Sequence, residues 1–320
     1  MTLAYISIVI GFIMLAWGAD RFVLGASAIA SNLGISPLIV GLTVVAFGTS
    51  FPEMLISGVA AWEGNLGLAI GNAIGSNITN IGLVLGTTAL IIPLTIHSDT
   101  LHREFPILFV VMVFALFLLL DNELGRGDGI LLIIAMLAIL YWIVSLALRT
   151  RKTDPIKAEF AAEIPYHMPT SKAVTHFSLG LIILFISSKI LVWGAVSIAK
   201  SFGISDLVIG LTIVAIGTSL PELAASVMSA IKKEHDIAVG NIIGSNIFNL
   251  LAVVGIAGVI HPSTFVEEVI SRDYLLMFIL TAVLFAMAGF RRNGHINRWK
   301  GGLLLCIWVG YLFYLYQTSI

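Results

Sequence analysis

Apolar runs of about 20 residues, parted by short polar breaks, fill the chain from end to end. A helix of that length matches the hydrocarbon core of a bilayer. The pattern predicts ten helices, at about 3–30, 37–61, 68–92, 105–120, 128–148, 174–201, 206–230, 237–260, 273–290 and 299–317. The first and sixth are long for a simple crossing, which implies tilt or extension into the interface. One connection stands apart. Residues 149–173 hold Arg149, Arg151, Lys152, Asp154, Pro155, Pro165 and Pro169, a polar, proline-bearing composition that reads as a linker.

A second pattern lies on top of the first. A shift of 169 residues carries Gly25 onto Gly194, Gly34-Ile35-Ser36 onto Gly203-Ile204-Ser205, and Gly41-Leu42-Thr43 onto Gly210-Leu211-Thr212. It carries Glu53 onto Glu222, Gly71-Asn72 onto Gly240-Asn241, Asn80 onto Asn249 and Arg103 onto Arg272. One unbroken offset marks a duplication. The expected organisation is a five-helix repeat over 1–148, a linker over 149–173 and a second five-helix repeat over 174–320, joined in one membrane domain. An odd number of crossings per copy inserts the second copy upside down. The fold class is thus all-α and polytopic, ten transmembrane helices in two inverted repeats.

Composition agrees with this picture and excludes others. With 58% hydrophobic and 11% charged residues and a mean hydropathy of +1.04, the chain is far from a soluble domain, which is about 25% charged. Nucleic-acid binding is not expected. The sidedness of Lys and Arg is more telling than their sum. Loops on one side hold Arg103, Arg149, Arg151, Lys152, Lys157, Lys172, Lys232, Lys233, Arg291, Arg292, Arg298 and Lys300; the other side holds Arg126, Lys200 and Arg272. The positive-inside rule puts the first side in the cytoplasm and both termini outside a cell (inner) membrane. Residues 1–24 read as a retained first helix rather than a removed signal. Asp20, Arg21 and Lys189 fall within long spans, as an ion pair or as snorkelling side chains. Cys306 is the single cysteine, so no disulfide forms. No phosphate-binding loop is present, which speaks against ATP-driven transport. The histidines sit at loops and span ends.

The chemistry concentrates in twin segments. Gly48-Thr49-Ser50-Phe51-Pro52-Glu53 and Gly217-Thr218-Ser219-Leu220-Pro221-Glu222 each place a carboxylate inside an apolar run. An intramembrane carboxylate is costly, faces a cavity or partner, and marks an ion pathway. Pro52 and Pro221 lack an N–H, so carbonyls around Ala46 to Gly48 and Ala215 to Gly217 lose their partners. Each segment reads as a helix that stops and restarts. A second twin motif carries Asn72, Ser76 and Asn80 four residues apart, with Asn241, Ser245 and Asn249 as its copy, so polar groups line one stripe of a helix. Gly71 and Gly75 form a small face for close helix packing. The summed donors are two carboxylates, the hydroxyls of Thr49, Thr218, Ser76 and Ser245, the amide oxygens of Asn80 and Asn249, and backbone carbonyls. All are hard oxygens, suited to calcium or sodium and not to zinc or copper. Competition of two ions for the same carboxylates would let each expel the other, with alternating access supplied by rocking helices.

At these residues the chain resembles the calcium/cation antiporter superfamily, in its prokaryotic sodium/calcium exchanger branch. The resemblance implies a packed core of spans 2, 3, 7 and 8, with spans 1 and 6 sliding across it, and an exchange of sodium for calcium with no cofactor. It implies Glu53 and Glu222 as shared ligands, joined by Thr49, Thr218, Ser50, Ser219, Ser76, Ser245, Asn80 and the carbonyls of Ala46 and Ala215. The chain departs from well-known relatives at Asn249, where they carry aspartate, and no potassium dependence is expected. Gly75 and Gly244 stand where a proton-coupled branch carries glutamate, which favours sodium. The alternatives are a proton/calcium antiporter on the same fold, a gated cation channel, and an intramembrane enzyme with the two glutamates as acid and base. The expected partners are calcium, sodium and lipid, and the expected working unit is a monomer.

Overall fold

The computed structural model describes residues 2–97, 104–150, 168–202, 215–288 and 293–318. Most of the expected linker lies outside these residues. So do the opening of the seventh expected span, with Gly203, Ser205, Gly210 and Thr212, and the loop residues Arg103, Arg291 and Arg292.

The described residues are almost wholly helical. Helix α1 (Thr2–Leu33) leads to α2 (Pro37–Val40), a π-helical stretch π1 (Gly41–Val45), α3 (Ala46–Thr49) and α4 (Phe51–Trp62). Then come α5 (Leu66–Thr79), π2 (Asn80–Leu85), α6 (Gly86–Ile91), strand β1 (Leu94–His97), α7 (Phe105–Leu119), β2 (Glu123–Leu124) and α8 (Arg126–Thr150). The second half runs α9 (Thr170–Ser201), α10 (Ala215–Thr218), α11 (Leu220–Ile231), α12 (His235–Phe248), π3 (Asn249–Val253) and α13 (Val254–Ile260). It closes with β3 (Ser263–Thr264), π4 (Val269–Tyr274), α14 (Leu275–Ala288), β4 (Asn293–Ile296) and α15 (Arg298–Thr318).

Six described helical stretches are long and apolar enough to cross a bilayer: Thr2–Leu33, Leu66–Ile91, Arg126–Ser145, Thr170–Ile198, His235–Ile260 and Val269–Ala288. The bent pair Pro37–Thr49 and Phe51–Trp62, which meet at 43°, makes a seventh. Ten spans were expected from the hydrophobic pattern. Phe105–Leu119 and Leu220–Ile231 are apolar but shorter than the about 20 residues a straight crossing needs. Arg298–Thr318 opens on a charged turn.

Local sequence explains the element ends. Ser36 caps α2, its Oγ accepting from Ile39 N at 3.4 Å, with Pro37 at the first helical position. Asn65 caps α5 by accepting from Leu68 N at 3.0 Å. The tight turns before α5 and α12 place Gly64 (φ +82°) and its counterpart Lys233 (φ +64°) in the left-handed region. Glycine adopts that backbone freely; lysine adopts it at a cost. Two small antiparallel sheets tie the halves together, β1 with β4 (Leu94 opposite Ile296) and β2 with β3 (Glu123 opposite Thr264).

Glycine sets the closest packing. Helices α1 and α9 run antiparallel, with Gly18 against Ile183 and Leu184, Gly25 against Phe177, and Gly180 against Phe22. Helix α12 presses on the first half in the same way. A Cβ at Gly244 would come within 2.5 Å of the Leu42 carbonyl and 2.6 Å of Ala46 Cβ. The outer surface is apolar, with Phe12, Trp62, Phe117, Tyr141 and Trp299 all exposed, as lipid contact requires.

Gly244→Ala should therefore destabilise the protein by about 1–3 kcal/mol through overpacking against backbone. Gly58→Ala, whose new methyl would meet Ile256 at an ordinary 3.7 Å, should melt no lower than the parent. Thermal unfolding in detergent measures both.

Candidate functional site

The twin segments lie where both halves converge. Helix α4, which carries Glu53, packs on π3, which begins at Asn249; α11, which carries Glu222, packs on π2, which begins at Asn80. Helix α3 meets α12 and α10 meets α5 in the same crossed fashion. The break expected at the prolines is present. Thr49 ends α3, Ser50 leaves helical geometry (φ −82°, ψ 2°), and α4 restarts with Pro52 in its first turn. Ser219 repeats this before α11 (φ −89°, ψ 6°).

Glu53 and Glu222 are each 1% exposed. Neither forms an ion pair among the described residues. Ser50 Oγ of the first half donates to Glu222 Oε1 of the second at 3.5 Å. Thr49 Oγ1 donates to Asn241 Oδ1 at 3.0 Å and lies 3.5 Å from Ser245 Oγ. Thr49, Ser50, Ser76, Ser219, Ser245, Asn80 and Asn249 are buried; Thr218 is half-buried.

Five oxygens of these segments are buried with no hydrogen-bond partner among the described residues: Glu53 Oε2, Glu222 Oε2, Asn80 Oδ1, Asn249 Oδ1 and Ser219 Oγ. Asn122 Oδ1 and Ser229 Oγ share that condition away from the segments. Buried polar atoms are satisfied in the great majority of cases, so a concentration of unsatisfied acceptors in one place marks a site. It contrasts with Asp273, another buried carboxylate. Asp273 takes Arg272 Nε at 2.7 Å, Arg272 Nη2 at 3.0 Å and Tyr311 Oη at 2.9 Å.

The carbonyls expected to be released by proline are partly taken. Ala46 O accepts from Ser50 N at 2.9 Å. Gly217 O, which would have bonded the missing N–H of Pro221, accepts from Ser188 Oγ of α9 at 2.6 Å. Thr49 Oγ1 also donates to Ala46 O, at 3.4 Å, so both lone pairs of that carbonyl are engaged.

The stripe residues Asn72 and Asn241 are spent as braces. Asn72 Nδ2 donates to Ser57 Oγ at 3.0 Å and to Glu53 O at 3.4 Å. Asn241 Nδ2 donates to Ser226 Oγ at 3.1 Å and Glu222 O at 3.5 Å. Each pins the backbone of the glutamate on the neighbouring helix. Asn77 and Asn246 also bear on the site. Asn80 Nδ2 donates to Asn246 Oδ1, and Asn249 Nδ2 to Asn77 Oδ1, both at 3.1 Å. Asn77 and Asn246 stand 169 residues apart, at matching positions of the repeat, and packing between the halves sets their partners. Among the described residues no group of three or more His, Cys, Asp or Glu stands together.

The family sequence model described as sodium/calcium exchanger protein matches residues 3–145 and 172–317. The chain belongs to the sodium/calcium exchanger family. It is 41% identical to the inner membrane protein YrbG of Escherichia coli (strain K12), over 98% of both chains. It is 30% identical to the sodium/calcium exchanger MaX1 of Methanosarcina acetivorans, over 99% of both. Its structure superposes on that of the sodium-calcium exchanger NCX_Mj with a TM-score of 0.82 at 33% identity, covering 96% of each chain. Like other members of the exchanger family, it is a multi-pass membrane protein.

Asn241→Ala removes a brace that reaches both halves, whereas Asn72→Ala removes one confined to its own. Asn241→Ala should cost about 1–3 kcal/mol and exceed Asn72→Ala, as read from melting in detergent.

Proposed function

We propose that this protein is a secondary antiporter that exchanges sodium for calcium across the cell membrane, with Glu53 and Glu222 as ligands shared by both ions. One observation carries the reading: among the described residues, paired carboxylates deep in the protein have no cationic partner, and each keeps an oxygen without a hydrogen bond beside three neutral oxygens in the same condition. Several kcal/mol oppose burying such a charge alone. A hard cation removes that cost, and an all-oxygen donor set suits calcium and sodium. Two carboxylates balance the charge of one calcium or two sodium ions. Thr49, Thr218, Ser50, Ser219, Ser76, Ser245, Asn80, Asn249 and the carbonyls of Ala46 and Ala215 complete the proposed ligand set. The exchangers MaX1 and NCX_Mj bear the same ion pair in their names.

The transport cycle is alternating access between inverted halves. Strand pairing supports the ten-span topology behind it. With ten crossings, β1 follows the third and β4 the ninth, so both lie on one side; β2 follows the fourth and β3 the eighth, so both lie on the other. The pairs β1–β4 and β2–β3 are the two that form. The antiparallel course of α1 and α9, which occupy matching positions in the halves, is the direction that inverted copies require. With the basic loops inside, both termini lie outside the cytoplasm.

Purified protein in liposomes should take up isotopic calcium against an opposing sodium gradient. Glu53→Gln and Glu222→Gln should each reduce that uptake at least tenfold, since each leaves the ion half its countercharge. Uptake that ignores sodium and follows a pH gradient would overturn sodium coupling in favour of proton coupling.

A further inference from the structure

We propose that Asn77 and Asn246 are positioning residues that decide which end of the Asn80 and Asn249 amides faces the ions. The inference rests on the ion-site reading above. An amide has an oxygen that can ligate a cation and a nitrogen that cannot, and a half-turn of the side chain exchanges them. A buried asparagine therefore presents its oxygen only when its nitrogen is held elsewhere. Here the holding is reciprocal and crosses between halves. Asn246 Oδ1 receives Asn80 Nδ2, and Asn77 Oδ1 receives Asn249 Nδ2. Asn77 is itself oriented, because its Nδ2 donates to Asn246 O at 3.1 Å and meets Met277 Sδ at 3.4 Å. Among the described residues, Oδ1 of Asn80 and Oδ1 of Asn249 are left without a bond. Each half thus sets the ligand atom of the other.

Calcium half-saturation of sodium-driven uptake tests this with Asn77→Ala, Asn249→Ala and the two together. Asn77→Ala alone should raise half-saturation about fivefold, the weight of one buried hydrogen bond, with a smaller change in maximal rate. It should add nothing once Asn249 is alanine, because a positioning residue acts only through its ligand. Asn77→Asp, which keeps the accepting oxygen, should not raise half-saturation. An equal penalty in both backgrounds, or none in either, overturns the proposal. Should Asn77→Ala fail to fold, Asn246→Ala against Asn80→Ala runs the same cycle. If Glu53→Gln and Asn249→Ala both leave uptake intact, the ion-site reading falls instead.

A separate observation concerns the rim of the molecule, where we infer that two matching ion pairs serve as alternate latches. It rests on the alternating-access reading. Lys232 Nζ lies 2.7 Å from Asp20 Oδ1, and Ser27 Oγ donates to Glu234 Oε1 at 2.5 Å, so α1 is fastened to the turn after α11. A shift of 169 residues puts Lys189 in place of Asp20 and Glu63 in place of Lys232. The charges are reversed and still complementary. Yet Glu63 and Lys189 form no ion pair among the described residues. Packing follows the same division. Helix α1 lies along α11 and keeps Ala225 at 0% exposure, while the matching Ile56 on α4 is 38% exposed. Asn65 turns its side chain back to cap α5, whereas Glu234, at the same position before α12, makes no side-chain cap bond. The structure is latched on one side and unlatched on the other, and the opposite state closes Glu63 on Lys189. An ion pair this exposed biases an equilibrium only about two- to fivefold, which suits a contact that must open in every cycle.

In a Cys306→Ser background, Asp20→Cys with Lys232→Cys and Glu63→Cys with Lys189→Cys are treated with a short bifunctional thiosulfonate. Each pair should cross-link, each cross-link should stop exchange, and reduction should restore it. In a chain with all four cysteines, one cross-link should exclude the other. Failure of the Glu63 and Lys189 pair to link in exchanging protein, both links in one molecule, or exchange that continues when linked overturns the inference. Should the cysteine chains not exchange when reduced, Glu63→Lys slowing exchange and Lys189→Glu restoring it is the matching result; no difference between them is the overturning one. A parent that does not exchange the two ions overturns antiport itself.

Discussion

Two carboxylates closed off from water and from every described cationic side chain are the constraint the architecture answers to. Water would solvate each ion by tens of kcal/mol in an idealised transfer, and the protein gives up most of that. Asp273 shows the ordinary remedy, an arginine fork and a tyrosine hydroxyl on the same carboxylate. Glu222 has the Ser50 hydroxyl at one oxygen instead, which satisfies a lone pair and cancels no charge. A chain whose whole stability is of the order of 5–15 kcal/mol keeps such a pair only if the surrounding backbone is fixed by many independent contacts. It is. Asn72 and Asn241 bond the carbonyls of the two glutamates, and Gly41, Gly240 and Gly244 bring the helices to backbone contact.

Duplication is how one short chain assembles such a site. A single copy carries one carboxylate, one hydroxyl pair and one amide stripe, too little for the ion site proposed above. Two copies crossing put α4 on π3 and α11 on π2, so each copy supplies what the other lacks. The pinning is economical as well. The same asparagine bonds that join the halves also orient side chains at the centre. The contacts that dock the halves are therefore also those that set the side-chain geometry where they meet.

What the sequence revealed, and what it hid, follows from the range of each interaction. Glu53 and Glu222 were legible because a charge in an apolar run and a proline beside it are local facts. The helix break at Ser50 and Ser219 came with them, since proline acts on its own turn. The role of Asn72 was hidden. Periodicity put Asn72, Ser76 and Asn80 on one stripe, yet Asn72 meets Ser57 on the adjoining helix, a contact that only the packing of α4 on α5 creates. The π-helical stretches at Gly41–Val45, Asn80–Leu85, Asn249–Val253 and Val269–Tyr274 were equally invisible. One extra residue in a turn rotates everything beyond it by about 100°, so a stripe drawn on an ideal helix ends where π2 begins, at Asn80. The paired strands β2 and β3, two residues each, were too short for any period to register.

The halves are also unlike, and the differences carry as much information as the match. Identical copies would have no reason to rest with one side fastened and the other loose. Substitutions at matching positions supply the reason. Ser188 of α9 grips the Gly217 carbonyl at the break, while its counterpart Ala19 has no hydroxyl to offer Gly48. Ser27 holds Glu234, while its counterpart Val196 has nothing to hold Asn65. Each such bond is worth about 1 kcal/mol, small against the fold and comparable to the few-kcal/mol gap that separates interconverting states. In the proposed alternating-access cycle, symmetry supplies two related arrangements, and these asymmetric hydroxyls favour one of them.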